Sequence, residues 1–583
     1  MRLTTSIIMA LTYLLCLSCQ KERGYTGFVD PSDSPMENMV ISIDKAVYAP
    51  GETITFSLKN YAASTMHVRY RHLGEILATS PLNGSKWTWQ APEKDFTGYL
   101  VEVFAGSGDE EQVLATIGVD VSSDWSKFPR YGFLSTYQKM SESATDNVIR
   151  KLNRLHINGV QFQDWHYKHH FPLALDEDGK PMETYLDIAS RTSHLSTVRK
   201  YIADCHKYGM KAIFYNLCFG ALDDSATDGV KEQWHLYLDK QAEEKDVHEL
   251  GEPFKSSIYI VNPANPHWQN FIGDRNDEIY SALDFDGYQI DQLGDRGTLY
   301  DYDGNQVYLA ATYSSFINAM KLRHPEKELI MNSVSGYGAS EIVSTGNVTF
   351  AYNEVWENGF ADLKRIIEDN DRYSDGAVRT VFAAYMNYDV GSGYFNTPGV
   401  LLADAVMFAL GGSHLEMGEH MLTTEYFPNN NMAMDKELES AIVVYYDFMT
   451  AYQNILRDGG SFNEISVSAP DKSVSIKSWE PATGQIVTIC KRQEARQIIH
   501  LLNFTDADSV SWKDSCGTMP EPDMIEPFEI EAEVDGPVNK VWIASPDRNL
   551  GVPSSLAFTQ DGNNIRTTIP ALKYWNMIVI EYN

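Results

Sequence analysis

Cysteine and basic charge are what this sequence has least of. Six cysteines stand among 583 residues. Cys16 and Cys19 fall in an N-terminal segment treated below. Cys205, Cys218, Cys490 and Cys516 are far apart and show no C-x-x-C spacing, which excludes a zinc knuckle or a dithiol redox centre. Cys490 and Cys516 share the C-terminal region and could pair, although a chain of this size needs no covalent staple. Lys and Arg number 47 against 80 Asp and Glu, a formal net charge of −33. A polyanion repels phosphate backbones and anionic headgroups, so nucleic acid is excluded as a partner, whereas a neutral ligand meets no such objection. Beyond the N-terminal segment no apolar run is long enough to span a bilayer. There is no phosphate loop and no dinucleotide fingerprint. Asp176–Lys180 and Asp301–Asn305 resemble calcium loops but lack the ligand spacing and the terminal glutamate, so they read as turns. No cofactor and no metal are expected.

What is present is the composition of ordinary folded protein, 43% apolar and 22% charged. The length exceeds what one hydrophobic core serves, so about two to four domains are expected. The 33 Tyr and 11 Trp suit sugar stacking and β-rich packing equally. At the N-terminus, Arg2 precedes the short apolar run Ile7 to Leu17, which reads as a signal-peptide core. The run ends in Leu15-Cys16-Leu17-Ser18-Cys19, similar to a bacterial lipoprotein processing site, which implies Cys19 as the lipidated first residue. Cys16 stands where such sites favour Leu. The expectation is a monomeric cell-envelope lipoprotein of a Gram-negative bacterium, at the outer-membrane surface or in the periplasm, that touches the membrane only through its lipid. Plain secretion is the alternative.

After a tether at 19–37, residues 38–122 alternate in the manner of short strands with Gly/Pro turns, which predicts an immunoglobulin-like β-sandwich. Across 123–458 strand-like runs alternate with helical patterns, the rhythm of parallel β/α units. Eight candidate strands are Tyr131–Tyr137, Val160–Trp165, Lys211–Asn216, Gly287–Asp291, Leu329–Ser333, Val348–Glu354, Thr380–Asn387 and His414–Met417. Helices are predicted at Ser143–Leu155, Leu195–Tyr208, Trp268–Leu283 and Leu309–Leu322. That count fits a (β/α)8 TIM barrel. From 459 to 583 alternation returns, predicting a second β-sandwich.

Each candidate barrel strand runs from apolar residues into Asp, Asn, Glu, His or Trp, at the end that forms the active-site face of such barrels. Asp164, Asn216, Asp291, Asn332, Glu354, Asn387 and Glu416 are expected to form one polar ring. A retaining glycosidase needs two carboxyl groups flanking one bond, a nucleophile and an acid/base. Asp291, ending the fourth strand, and Glu354, ending the sixth, can face each other across a barrel mouth. Gly294 lets the backbone after Asp291 turn close to a ligand. Tyr352 and Trp356 give Glu354 an apolar surround, which raises a carboxyl pKa and suits an acid. Asp295 and Glu357 are rivals that read better as a turn cap and a surface glutamate.

Gln161–His170, Gly287–Asp295, Tyr352–Trp356, Gly411–Gly418 and Met421–Asn429 together resemble glycoside hydrolase family 66, which holds endo-dextranases and cyclising isomaltooligosaccharide glucanotransferases. The resemblance implies Asp291 as nucleophile and Glu354 as acid/base. It implies Asp164 as a substrate contact, with Tyr167, Asn216, Asn387, His414 and Glu416 as further contacts to sugar. The cyclising members carry a carbohydrate-binding module inserted in the barrel, and no segment here has room for one. The resemblance therefore implies an endo-dextranase cutting α-1,6 bonds of dextran, with transglycosylation and non-catalytic glycan binding as alternatives.

Overall fold

The computed structural model describes residues 39–61 and 65–583. The segments read as signal peptide and tether, with Cys19, lie outside the described residues. Among the described residues no helix is long and apolar enough to cross a membrane.

Eight parallel strands form the central sheet, in an order that follows the chain. They are β1 (Tyr131–Leu134), β2 (Gly159–Phe162), β3 (Lys211–Leu217), β4 (Gly287–Asp291), β5 (Glu328–Val334), β6 (Ala351–Glu354), β7 (Thr380–Ala383) and β8 (Ser413–His414). The first and last meet where Phe133 N donates to Met417 O at 3.2 Å. That approach needs glycine. A Cβ on Gly132 would stand 2.8 Å from Met417 O, and one on Gly418 2.5 Å from Phe133 O. The sheet is thus a nearly closed barrel. Several predicted strands overrun the observed ones, because their last residues leave the ladder to build the rim.

A helix follows each strand: α1 (Glu142–Arg154), α2 (Leu195–Lys207), α3 (Pro266–Ala282), α4 (Leu309–Arg323), α5 (Ala339–Val343), α6 (Phe360–Ser374), α7 (Thr397–Leu410) and α8 (Lys436–Ala451). The local chemistry explains their starts. Ser141 caps α1 by accepting from Ala144 N, and Asn265 caps α3 immediately before Pro266. In α1, Thr145, Ile149 and Leu152 share the buried face, the stripe a surface helix turns to its sheet. Helix α7 is apolar but for Thr397 and Asp404, and every residue but Pro398 is buried. It packs against α8, α6 and the C-terminal strands Arg496–Phe504 and Trp575–Tyr582, so it has no wet face.

Alternate strand residues fill the barrel. Tyr131, Phe133, Ile213, Ile330, Tyr352, Val381, Ala383 and Leu415 belong to one buried cluster. Trp125 joins it from below, meeting the Phe350 ring at 5.9 Å and donating to Glu328 Oε1 at 3.3 Å. The barrel is therefore plugged at its N-terminal end and open only at the other.

On the N-terminal side a three-stranded and a four-stranded antiparallel sheet share one apolar cluster that includes Ile41, Phe56, Val68, Val101 and Ile117. They dock on α8 through Asp447. Its carboxylate takes a bidentate pair from Arg154 at 3.0 and 2.9 Å, pairs with His156 at 2.6 Å, and accepts from Gly118 N at 3.1 Å. On the C-terminal side a seven-stranded and a four-stranded sheet enclose a further cluster. Cys490 lies there as a free, buried thiol, so the Cys490–Cys516 bridge considered from sequence does not form. Burial pushes the Cys490 thiol up to about 12.

Candidate active site

The open end of the barrel holds a cavity of about 510 Å³. Strand register decides which side chains reach it. In the β3–β4 pair Tyr215 stands opposite Gln289 and Leu217 opposite Asp291, and all four line the cavity. The intervening Asn216, opposite Ile290, faces away.

Asp291 ends β4 and Glu354 ends β6. Strand β5 lies between them, and its Asn332 sits between the two carboxylates. Asn332 Nδ2 donates to Asp291 Oδ1 at 2.8 Å and to Glu354 Oε2 at 2.7 Å. One nitrogen bonded to both oxygens bounds their separation. They can be no further apart than the two bonds laid end to end, about 5.5 Å. The amide is fixed in this orientation because its Oδ1 accepts from Glu354 N at 3.2 Å. Asp291 takes a second donor, Tyr215 OH, at 2.7 Å. Glu354 Oε1 takes Trp356 Nε1 at 3.1 Å and Tyr385 OH at 3.2 Å.

The electrostatics separate the two acids. Burial raises Asp291 above the usual carboxylate range, and the Asn332 and Tyr215 donors pull it back. Burial raises Glu354 as well, the charge of Asp291 adds to it, and Glu354 reaches about 7. Two like charges this close do not both ionise readily. Asp291 therefore carries the charge and Glu354 holds a proton near neutrality.

Asp164 also lines the cavity. Its backbone is left-handed, φ 50°, a conformation uncommon for any residue but glycine and found where structure is held for a purpose. Burial pushes its carboxyl up to about 6 against the opposing charge of Arg191. Gln163 Nε2 reaches its Oδ1 at 3.3 Å, and the rest of the carboxylate faces the cavity. Arg191, which donates to Asp164 O at 3.4 Å and to Ser135 O at 2.8 Å, ties the rims of β1 and β2 together. The wall is completed by Phe254 and Tyr426, whose rings meet edge to face at 6.2 Å, and by His169 and Glu425.

Five other residues singled out from sequence do not line this cavity. Asn216 donates to His169 O at 2.8 Å and meets His169 Nδ1 at 3.0 Å, so it supports a wall residue. Tyr167 lies beneath Lys255, whose Nζ stands 3.8 Å from its ring centre. Asn387 Nδ2 donates to Asp514 O at 2.7 Å, and its Oδ1 accepts from Asn396 N at 2.8 Å. His414 and Glu416 are buried behind β8. His414 Nε2 donates to Ala384 O at 2.8 Å, its Nδ1 faces Asp404 Oδ1 at 2.9 Å, and Tyr446 OH donates to Glu416 at 2.9 Å. Tyr215, Tyr385 and Arg191, which do shape the site, were not singled out.

Among the described residues, two groups of ligand-type side chains bring their atoms within 4.8 Å of one another, His170 with Asp224 and Asp228, and Asp404 with His414 and Glu416. Lys168 already neutralises the first, at 2.6 and 2.7 Å. Neither group lines the cavity.

A family model, glycosyl hydrolase family 66, matches residues 43–579. A cycloisomaltooligosaccharide glucanotransferase of Niallia circulans is 26% identical over 743 aligned residues, covering 99% of this chain and 75% of the relative. A dextranase of Streptococcus salivarius is 26% identical over 571 residues, covering 83% of this chain and 67% of the relative. Among solved structures, a Paenibacillus cycloisomaltooligosaccharide glucanotransferase in complex with cycloisomaltoheptaose superposes with a TM-score of 0.84 at 24% identity, covering 92% of this chain and 99% of that one. At that identity the likeness speaks for the fold. With the family model matching all but the ends, the chain belongs to glycosyl hydrolase family 66.

Proposed function

We propose that the protein is a retaining, endo-acting glycoside hydrolase that cleaves α-1,6-glucosidic bonds of dextran through a covalent glucosyl-enzyme intermediate. The observation that carries the mechanism is the shared Asn332 donor. It holds the two carboxylate oxygens within about 5.5 Å, and retaining enzymes place their carboxyl groups ~5–5.5 Å apart whereas inverting ones leave room for a water. Asp291, the more ionised acid, attacks the anomeric carbon. Glu354 gives its proton to the leaving oxygen, then takes one from the water that releases the sugar. Asp164, open to the cavity, accepts hydrogen bonds from sugar hydroxyls.

The linkage follows from the relatives, a dextranase and a cycloisomaltooligosaccharide glucanotransferase. Hydrolysis is preferred over cyclisation because no segment between the barrel strands has room for the inserted carbohydrate-binding module expected of cyclising members. The cavity suits a neutral sugar polymer, and the lipoprotein reading of Cys19 would set the enzyme on the cell envelope. Incubation with dextran, starch and pullulan, with products resolved by size and anomeric form, tests the whole reading. Linear isomaltooligosaccharides from dextran alone, released as the α-anomer, are expected. Cyclic products would make the protein a transferase, β-anomers would overturn retention, and cleavage of starch would overturn the linkage.

A further inference from the structure

The C-terminal region reaches the rim of the barrel through Trp512 and Lys513. Trp512 Nε1 donates to Glu357 O at 2.8 Å, and Asn387 N donates to Lys513 O at 3.0 Å. The segment is thus pinned to the loops that follow β6 and β7, on either side of the Glu354 site. Lys513 itself is buried, 8% exposed, yet among the described residues its ammonium makes no hydrogen bond and no ion pair. It lies instead against three aromatic rings, 4.8 Å from the centre of Trp356, 5.6 Å from Tyr388 and 5.7 Å from Trp512.

Cation–π contact with these rings stabilises the ammonium where it stands. The carboxylates that face it are Asp389, Glu425, Glu357 and Glu354. None lies within ion-pair distance. Glu425 already accepts from Tyr388 OH at 2.9 and 2.8 Å. What Lys513 touches most closely is the indole whose Nε1–H stands 3.1 Å from Glu354 Oε1.

We propose that Lys513 is a positioning residue for Glu354, acting through Trp356. Its ammonium on the π face draws electron density from the indole and strengthens the Nε1–H as a donor to Glu354. The same contact, with the Tyr385 and Tyr388 rings at 5.6 and 5.7 Å from Trp356, keeps that donor aimed. The inference rests on Glu354 being the acid/base of the proposed reaction. A group some way along the chain from the barrel would thereby set the pH at which the barrel works.

A stronger donor favours the ionised carboxylate, so removing Lys513 leaves Glu354 protonated to higher pH. The test is the alkaline limb of kcat/KM on dextran in the full-length protein. Lys513→Met, with Lys513→Gln as a second neutral variant, should move that limb up by about half a pH unit. Lys513→Arg should leave it in place. Trp356→Phe, which removes the donor, should move the limb the same way, and Lys513→Met should then add nothing. A limb unmoved in folded Lys513→Met, or moved equally in the Trp356→Phe background, overturns the proposal. So does an unmoved limb in Trp356→Phe, even if neither neutral variant folds. Glu354→Gln separates the two levels of the argument. Full activity there overturns the acid/base reading and this inference with it, whereas loss of activity beside an unmoved Lys513→Met limb overturns this inference alone.

Discussion

Asp291 and Glu354 hang from one hydrogen-bond donor, the Asn332 amide nitrogen, at 2.8 and 2.7 Å. The donor fixes their spacing and does so asymmetrically. It stabilises charge on either acid, but two charges on one amide repel. The pair therefore settles with one proton between them, held on the acid that Asp291 destabilises, Glu354. Spacing and protonation both come from the strand between the two.

Asn332→Ala should consequently lower kcat/KM by ~100-fold or more, the scale for losing one preorganised donor. Asn332→Asp keeps the shape but adds a third carboxyl, so the alkaline limb should also rise. Steady-state kinetics across pH on dextran check both, and an Asn332→Ala enzyme of near wild-type activity would show that the amide is only structural.

The pH dependence follows from the same pair. Glu354 must be protonated and Asp291 ionised. Activity should fall as pH rises through about 7, where Glu354 loses its proton, and fall again on the acid side as Asp291 gains one. Asp164, pushed up to about 6, adds to the acid limb if its carboxylate holds sugar. Asp164→Asn should then raise KM and flatten that limb while leaving the alkaline limb where it is. A profile flat to pH 9 would contradict the assignment of Glu354.

Much of this was legible in the sequence. The eight strands, their helices and the positions of Asp291 and Glu354 follow from where apolar runs give way to polar residues. Residue type alone did not reveal which side of the barrel each residue faces. Asn216 looked like a sugar contact, yet its neighbour Tyr215 shares the inward side with Asp291. His414 pairs with Phe382, which pairs with Asn353, and Asn353 accepts from Asn370 on helix α6 at 2.8 Å. That parity puts His414 and Glu416 behind the wall. Counting by twos along β3 from Leu217, the register partner of Asp291, picks out Tyr215 and passes over Asn216. Lys513 and Arg191 were beyond such counting, since they reach the site from distant segments.

The docking of the N-terminal sheets rests on a buried charge cluster, with its own pH signature. Burial pushes Asp447 up, but Arg154 and His156 outweigh it and hold the carboxyl below its usual range. A carboxyl lowered on folding contributes stability that is present above its unfolded value, ~3.9, and lost as pH falls through the folded one. Asp447→Ala removes the buried carboxylate that Arg154, His156 and Gly118 N share and should cost ~3–5 kcal/mol. The unfolding midpoint of the variant should fall at pH 7 and converge on wild type in acid. An unchanged midpoint at neutral pH would mean that the cluster contributes nothing to the interface.

The two catalytic roles can be exchanged on paper, and azide tells them apart. Glu354→Gln keeps shape and removes the proton donor. Cleavage of an unactivated glucosidic bond should slow by at least ~100-fold, the usual scale for general acid catalysis. A substrate with a good leaving group needs little protonation, so it should still form the glucosyl-enzyme. Water attack on that intermediate lacks its base, and the intermediate should accumulate. Azide needs no deprotonation, so it should relieve the block and give a glucosyl azide of retained configuration. Asp291→Gly removes the nucleophile and opens its space, so azide should attack from that face directly and give the inverted product. Retention from Asp291→Gly together with inversion from Glu354→Gln would reverse the roles. Hydrolysis untouched by either substitution would move the chemistry elsewhere on the rim, and Asp164, the remaining aspartate on the cavity wall, would be the next residue to replace.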